Sequence, residues 1–84
     1  MNTQEFWSLA EKAEQILVNM GITEKWQSTE GLNIDESKIN ELTPLIERME
    51  QIINGGEIDD EAEYQKAWEK FDDLSERAKD TGFY

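Results

Sequence analysis

The chain has 84 residues with no cysteine and no histidine, and 20 acids against 8 bases leave it a net charge of −12. That composition excludes disulfides, thiolate or imidazole metal centres and histidine acid–base chemistry. A domain this small buries only about 60% of the surface its unfolded chain exposes, which leaves little room for a catalytic cleft.

Acidic chains are often disordered, but those are poor in aromatic and large aliphatic residues. Here 3 Trp, 3 Phe and 2 Tyr accompany regular Leu and Ile spacing, which predicts a folded domain over residues 1–84. The first helix is expected from Asn2 or Thr3, because Asn2 and Glu5 have the spacing of a capping box. Phe6, Leu9, Ala10, Ala13, Ile16, Leu17 and Met20 recur at steps of three and four, and Gly21 suits the stop. Trp7 and Val18 lie off this stripe and could form a second contact, either to the 22–34 segment or to a partner; packing under the following loop is the expectation.

Residues 21–34, "GITEKWQSTEGLNI", are too polar for a long element. The expectation is a loop with one short helical turn capped by Thr23, anchored by Ile22, Trp26, Leu32 and Ile34. The second helix starts at "DESKINELTPLIERME". Asp35 is its N-cap and Glu36 complements the positive end of the helix dipole. Ile39, Leu42, Leu45, Ile46, Met49, Ile52 and Ile53 keep one phase on both sides of Pro44, which predicts one helix kinked there rather than a fresh start. Asn54-Gly55-Gly56 ends it. The third helix follows Asp59 or Asp60, with Tyr64, Ala67, Trp68, Phe71, Leu74 and Ala78 as its apolar face and Arg77 and Lys79 in its last turn. Trp68 and Phe71 are read as core, and Gly82 as the stop. No strand pattern occurs. The predicted fold is all-α: a three-helix bundle with antiparallel neighbours and an extra helical turn between the first two helices.

The acids are unevenly placed. Ten of them follow residue 56, against four in the first 28. Glu36, Asn40, Glu47 and Glu50 share the side of the second helix away from its apolar stripe. "GEIDDEAE" sets Glu57, Asp59, Asp60, Glu61 and Glu63 together without a base. Ordinary solvated faces and helix caps explain single acids. They do not explain the total, since a small soluble domain needs a net charge of magnitude only about 2 to 8. Neighbouring acids on a helix face lie about 5 to 6 Å apart, and such a face suits a Lys/Arg groove built for DNA. A calcium loop is not present, because "EIDDEAE" lacks the alternating ligands, the glycine and the distal glutamate of that motif.

Glu36-Ser37 ahead of apolar residues, then Pro44 and Glu47, in a small acidic chain without cysteine, resembles the phage-encoded uracil-DNA glycosylase inhibitors. Those inhibitors mimic DNA through a Glu-Ser-Ile motif and a pocket that receives the enzyme's apolar wedge. Glu36 and Ser37 match the acid and the hydroxyl, Lys38 stands at the motif's Ile position, and the nearest Ile is Ile39. The family carries its motif at a strand edge of an α/β fold, so a helix start here implies convergence on a function rather than a shared fold. The resemblance implies a monomeric, cytoplasmic inhibitor in a bacterial host, with no cofactor, no metal and no enzymatic activity of its own. Its partner is a basic DNA-binding protein, uracil-DNA glycosylase first, rather than nucleic acid or membrane. The expected contact residues are Glu36, Ser37, Glu47 and Glu50, the cluster Glu57 to Glu63, and a groove formed by Ile39, Leu42, Ile46 and Met49. Two alternatives stand beside it: an acidic helical adaptor for a basic protein, and another phage DNA mimic of the anti-restriction or anti-CRISPR kind.

Overall fold

The computed structural model describes residues 3–79 and Thr81; the expected capping role of Asn2 and stop at Gly82 lie outside them. Three helices, α1 (Thr3–Asn19), α2 (Glu36–Asn54) and α3 (Glu61–Lys79), each pack against both others. No strand occurs among the described residues. The molecule is an elongated three-helix bundle measuring 41 × 21 × 19 Å.

The apolar spacing read from the sequence forms the core. Phe6, Ala10, Ala13 and Leu17 of α1 meet Leu42, Ile46, Met49, Ile52 and Ile53 of α2 and Ala67, Leu74 and Ala78 of α3. Burial of these side chains is the main favourable contribution, at roughly 1.5 to 3 kcal/mol for each large one. α3 brings only one large aliphatic into that core, and its alanines let it approach closely. Its buried stripe centres on Ala67, Leu74 and Ala78, so Trp68, about 100° further round the helix, faces outward. Trp68 is 45% exposed, which corrects its expected place in the core, whereas Phe71 is partly buried against the cluster.

α1 ends in a Schellman arrangement. The Ile22 N–H donates to the Leu17 carbonyl at 2.9 Å and the Gly21 N–H to the Val18 carbonyl at 2.9 Å, with Gly21 at φ +88. This geometry needs a left-handed residue at the glycine and turns buried Ile22 back onto the core. α2 ends the same way: Glu57 donates to the Ile52 carbonyl at 3.2 Å, Gly56 to the Ile53 carbonyl at 3.4 Å, and buried Ile58 follows.

Asp35 caps α2, its side chain accepting from the Ser37 N–H at 2.9 Å. Asp60, rather than Asp59, caps α3, accepting from the Glu63 N–H at 3.0 Å. α2 runs unbroken through Pro44. Proline has no N–H for the Asn40 carbonyl, and Thr43 adds a hydroxyl bond back to the Ile39 carbonyl at 2.9 Å, on an outer face where water reaches the ladder.

The connection between α1 and α2 departs from expectation. The extra turn near Thr23 is a turn but not helix. Gln27 holds it through its side chain, accepting from the Thr23 N–H at 2.8 Å and donating to the Gly21 carbonyl at 2.6 Å. Ile22 is buried and Leu32 and Ile34 pack against the core as expected. Trp26 does not anchor anything: it sits at φ +57 and is 77% exposed. Val18 is also exposed, and Trp7 packs against the core and edge-on against Phe6, with ring centroids 5.3 Å apart.

Candidate functional site: the acidic surface

Ion pairs consume most of the bases. Arg48 of α2 reaches Glu5 of α1, with Nε donating to Oε2 at 2.8 Å and Nη2 to Oε1 at 3.2 Å. Its guanidinium also pairs with Glu57, at 3.4 Å. The Arg48 hydrogen bonds hold the Glu5 carboxyl below the usual carboxylate range, and Glu5 in turn raises Arg48. This clasp ties the start of α1 to the end of α2 and the connection after it. Glu57, expected as part of a base-free cluster, is therefore bridged by a base from the preceding helix.

The opposite end has its own clasp. Arg77 is only 2% exposed. It donates to the Ile22 carbonyl at 2.8 Å and pairs with Glu14 at 3.2 Å and Asp73 at 3.3 Å. Lys70 shares Glu14, and these two cations depress the Glu14 carboxyl, the Lys70 hydrogen bond most of all. Lys25 pairs with Asp72 at 3.1 Å, Lys38 with Glu41 and Lys79 with Glu76.

What remains outside is anionic. Glu11, Glu24, Glu30, Asp35, Glu36, Glu47, Glu50, Asp59, Asp60, Glu61, Glu63 and Glu69 make no ion pair with any described residue. Glu36, Glu47 and Glu50 are exposed along the outer face of α2, beginning at its first turn. Asp59, Asp60 and Glu61 are exposed at the start of α3, beyond the other end of α2. The helix between them is about 28 Å long at 1.5 Å per residue. The expected contact residues thus form no compact patch: they trace the length of the molecule.

Other expected contacts lie elsewhere. Leu42, Ile46 and Met49 are wholly buried and Ile39 is half-buried, so no wedge-receiving groove opens at these side chains. The physical reason is that α2 is covered by both neighbours along this stripe. The Ser37 hydroxyl is occupied within the cap, donating to Asp35 at 2.8 Å. Hydrogen bonds from Ser37 hold the Asp35 carboxyl below its usual range. A shallow groove of about 500 Å³ does exist, but between α1 and α3, lined by Trp7, Ala10, Glu11, Glu14, Gln15 and Lys70.

Sequence reading missed the buried Arg77. The available signal was its place three residues after Leu74, within the apolar phase and four after Asp73. Among the described residues no group of three or more His, Cys, Asp or Glu is placed to hold a metal ion, and no helix is long and apolar enough to cross a membrane. In comparison with known proteins, the chain matches no family model, no curated protein and no solved structure.

Proposed function

We propose that this protein is an acidic inhibitor that occupies the DNA-binding groove of a DNA-processing enzyme, with bacterial uracil-DNA glycosylase as the first target to test. The observation that carries this reading is the division of charge: six of the eight bases are taken up in ion pairs, while twelve unpaired acids remain among the described residues. A 41 Å length of B-DNA would carry about 24 phosphate charges at one per 1.7 Å. The protein carries half that number over the same length. A Lys/Arg groove arranged for phosphates would meet carboxylates along the outer face of α2 and at the start of α3. Glu36, Glu47 and Glu50 would accept hydrogen bonds there from the enzyme's basic side chains and backbone N–H groups.

The test is uracil excision from duplex DNA, with wild-type protein and the variants Glu36→Gln and Glu47→Gln/Glu50→Gln compared at equal concentration. The reading expects inhibition by wild type, weakened in both variants while helicity is retained. Unimpeded excision in excess wild-type protein removes uracil-DNA glycosylase as the target. The adaptor reading is favoured instead if a basic protein without DNA-binding function binds more tightly than any DNA enzyme.

A further inference from the structure

We infer that Trp26 and Trp68 form an aromatic docking surface for an arginine-bearing segment of a basic partner protein. Trp26 is held in a backbone conformation that a bulky side chain rarely adopts, at φ +57, and yet it is 77% exposed. Backbone strain persists only where surrounding contacts impose it, and it concentrates at functional surfaces. Here Gln27 binds both Thr23 and the Gly21 carbonyl, and Lys25 ties the turn to α3 through Asp72 at 3.1 Å. The Lys25 ammonium also lies 5.3 Å from the centre of the Trp26 ring. The turn therefore displays the indole instead of burying it.

Trp68 stands one helical turn before Asp72 on α3, where residues four apart are neighbours on one face. It is 45% exposed. The Lys25–Asp72 bridge ties the turn that carries Trp26 to the helix that carries Trp68, the two most exposed aromatic residues among those described. Exposed Glu24 adjoins Lys25 in the chain, and exposed Glu69 adjoins Trp68.

Charge decides the occupant. Bases of nucleic acid stack on tryptophan, but their phosphates would meet a chain of net charge −12, and a second copy or an anionic membrane would meet the same repulsion. A cationic side chain gains from both features. Arginine gains most, because its planar guanidinium stacks on indole faces and is weakly hydrated. The inference rests on the proposed preference for a basic partner, but not on that partner being a DNA-processing enzyme.

Fluorescence anisotropy provides the test, with labelled short peptides alternating arginine and alanine, or lysine and alanine, and a short single-stranded DNA, at about 0.1 M and about 1 M salt. Trp26→Gly removes the indole and relieves the positive φ, and Trp68→Ala removes the second ring with a good helix former. Both variants are expected to melt at or near the wild-type midpoint. Wild type should bind the arginine peptide more tightly than the lysine peptide, and retain measurable affinity at the higher salt. Each variant should weaken arginine binding roughly 5- to 30-fold although net charge is unchanged. Equal binding by wild type and both variants overturns the docking surface and leaves the acidic reading standing. Failure of wild type to bind either peptide at the lower salt overturns both. Tighter binding of the single-stranded DNA than of the arginine peptide overturns the choice of partner.

Discussion

Arg77 shows how one residue can serve two purposes in a small bundle. Its guanidinium satisfies the Ile22 carbonyl left at the end of α1 and gathers Glu14 and Asp73 around it. Arg77→Met keeps the apolar stem but leaves that carbonyl without its donor, and should cost about 1 to 3 kcal/mol. At about 4 to 8 °C per kcal/mol for a domain of this size, a thermal melt followed by circular dichroism will resolve the loss; an unchanged midpoint would show that Arg77 contributes only its stem. Glu14 gives a complementary pH prediction. Its folded-state pKa is lowered from 4.5 by Lys70 and Arg77. A depressed carboxylate contributes stability above its unfolded value, and that contribution disappears as pH falls through the folded value. Wild type should therefore melt above Glu14→Gln at pH 7, and the gap should narrow as pH falls below 4.5 and close once pH lies below the lowered folded-state value. A gap that persists or widens in acid would mean that Glu14 acts through packing rather than charge.

At the scale of elements, the turns at the two helix ends allow a paired measurement. Gly21 and Gly56 both have positive φ, at +88 and +68. A Cβ at Gly56 meets open space, whereas one at Gly21 would lie 3.0 Å from Leu32 Cδ2. Gly56→Ala should cost about 1 to 2 kcal/mol, the penalty of a left-handed L-residue, and Gly21→Ala more, because Leu32 must also shift. Urea unfolding of both variants gives the comparison, and a smaller loss at Gly21 would mean that Leu32 yields freely. The same elements show what was legible in the sequence. The three helices, the Asp35 cap, the unbroken phase through Pro44 and the glycine stops after α1 and α2 follow from local rules, because periodicity and capping chemistry act within one segment. Trp68 was placed wrongly because hydrophobicity alone ranks it above Ala67, while close packing of helices makes Ala67 the inward position. Trp26 was placed wrongly because its positive φ is imposed by Gln27 and Lys25, contacts that spacing does not encode. The acids of the candidate site could be located along the chain. Their separation into clasped and unpaired groups depends on Arg48 and Arg77 reaching between elements, at sequence distances of 43 and 63 residues to Glu5 and Glu14.

For the molecule as a whole, two charge effects oppose each other. Salt weakens the ion-pair clasps, but exposed pairs are worth only about 0 to 1 kcal/mol each. It also screens repulsion among the unpaired acids, and with a net charge of −12 that gain dominates. Raising ionic strength from about 0.01 M to 0.1 M shortens the Debye length from about 30 Å to 10 Å, so the melting midpoint should rise. A falling midpoint would show that the clasps outweigh the repulsion and would weaken the case for a surface kept acidic by a partner. Whether this surface occupies a site built for DNA, as proposed, is decided by competition with duplex DNA. Wild-type protein and a variant with Glu36, Glu47, Glu50, Asp59, Asp60 and Glu61 changed to their amides are immobilised and exposed to bacterial lysate, with and without excess duplex DNA, and captured proteins are identified by mass spectrometry. Wild type is expected to retain a DNA-processing enzyme that duplex DNA displaces, and the neutralised variant is expected not to capture it. Capture of the same proteins by both forms, undiminished by duplex DNA, would contradict the proposal.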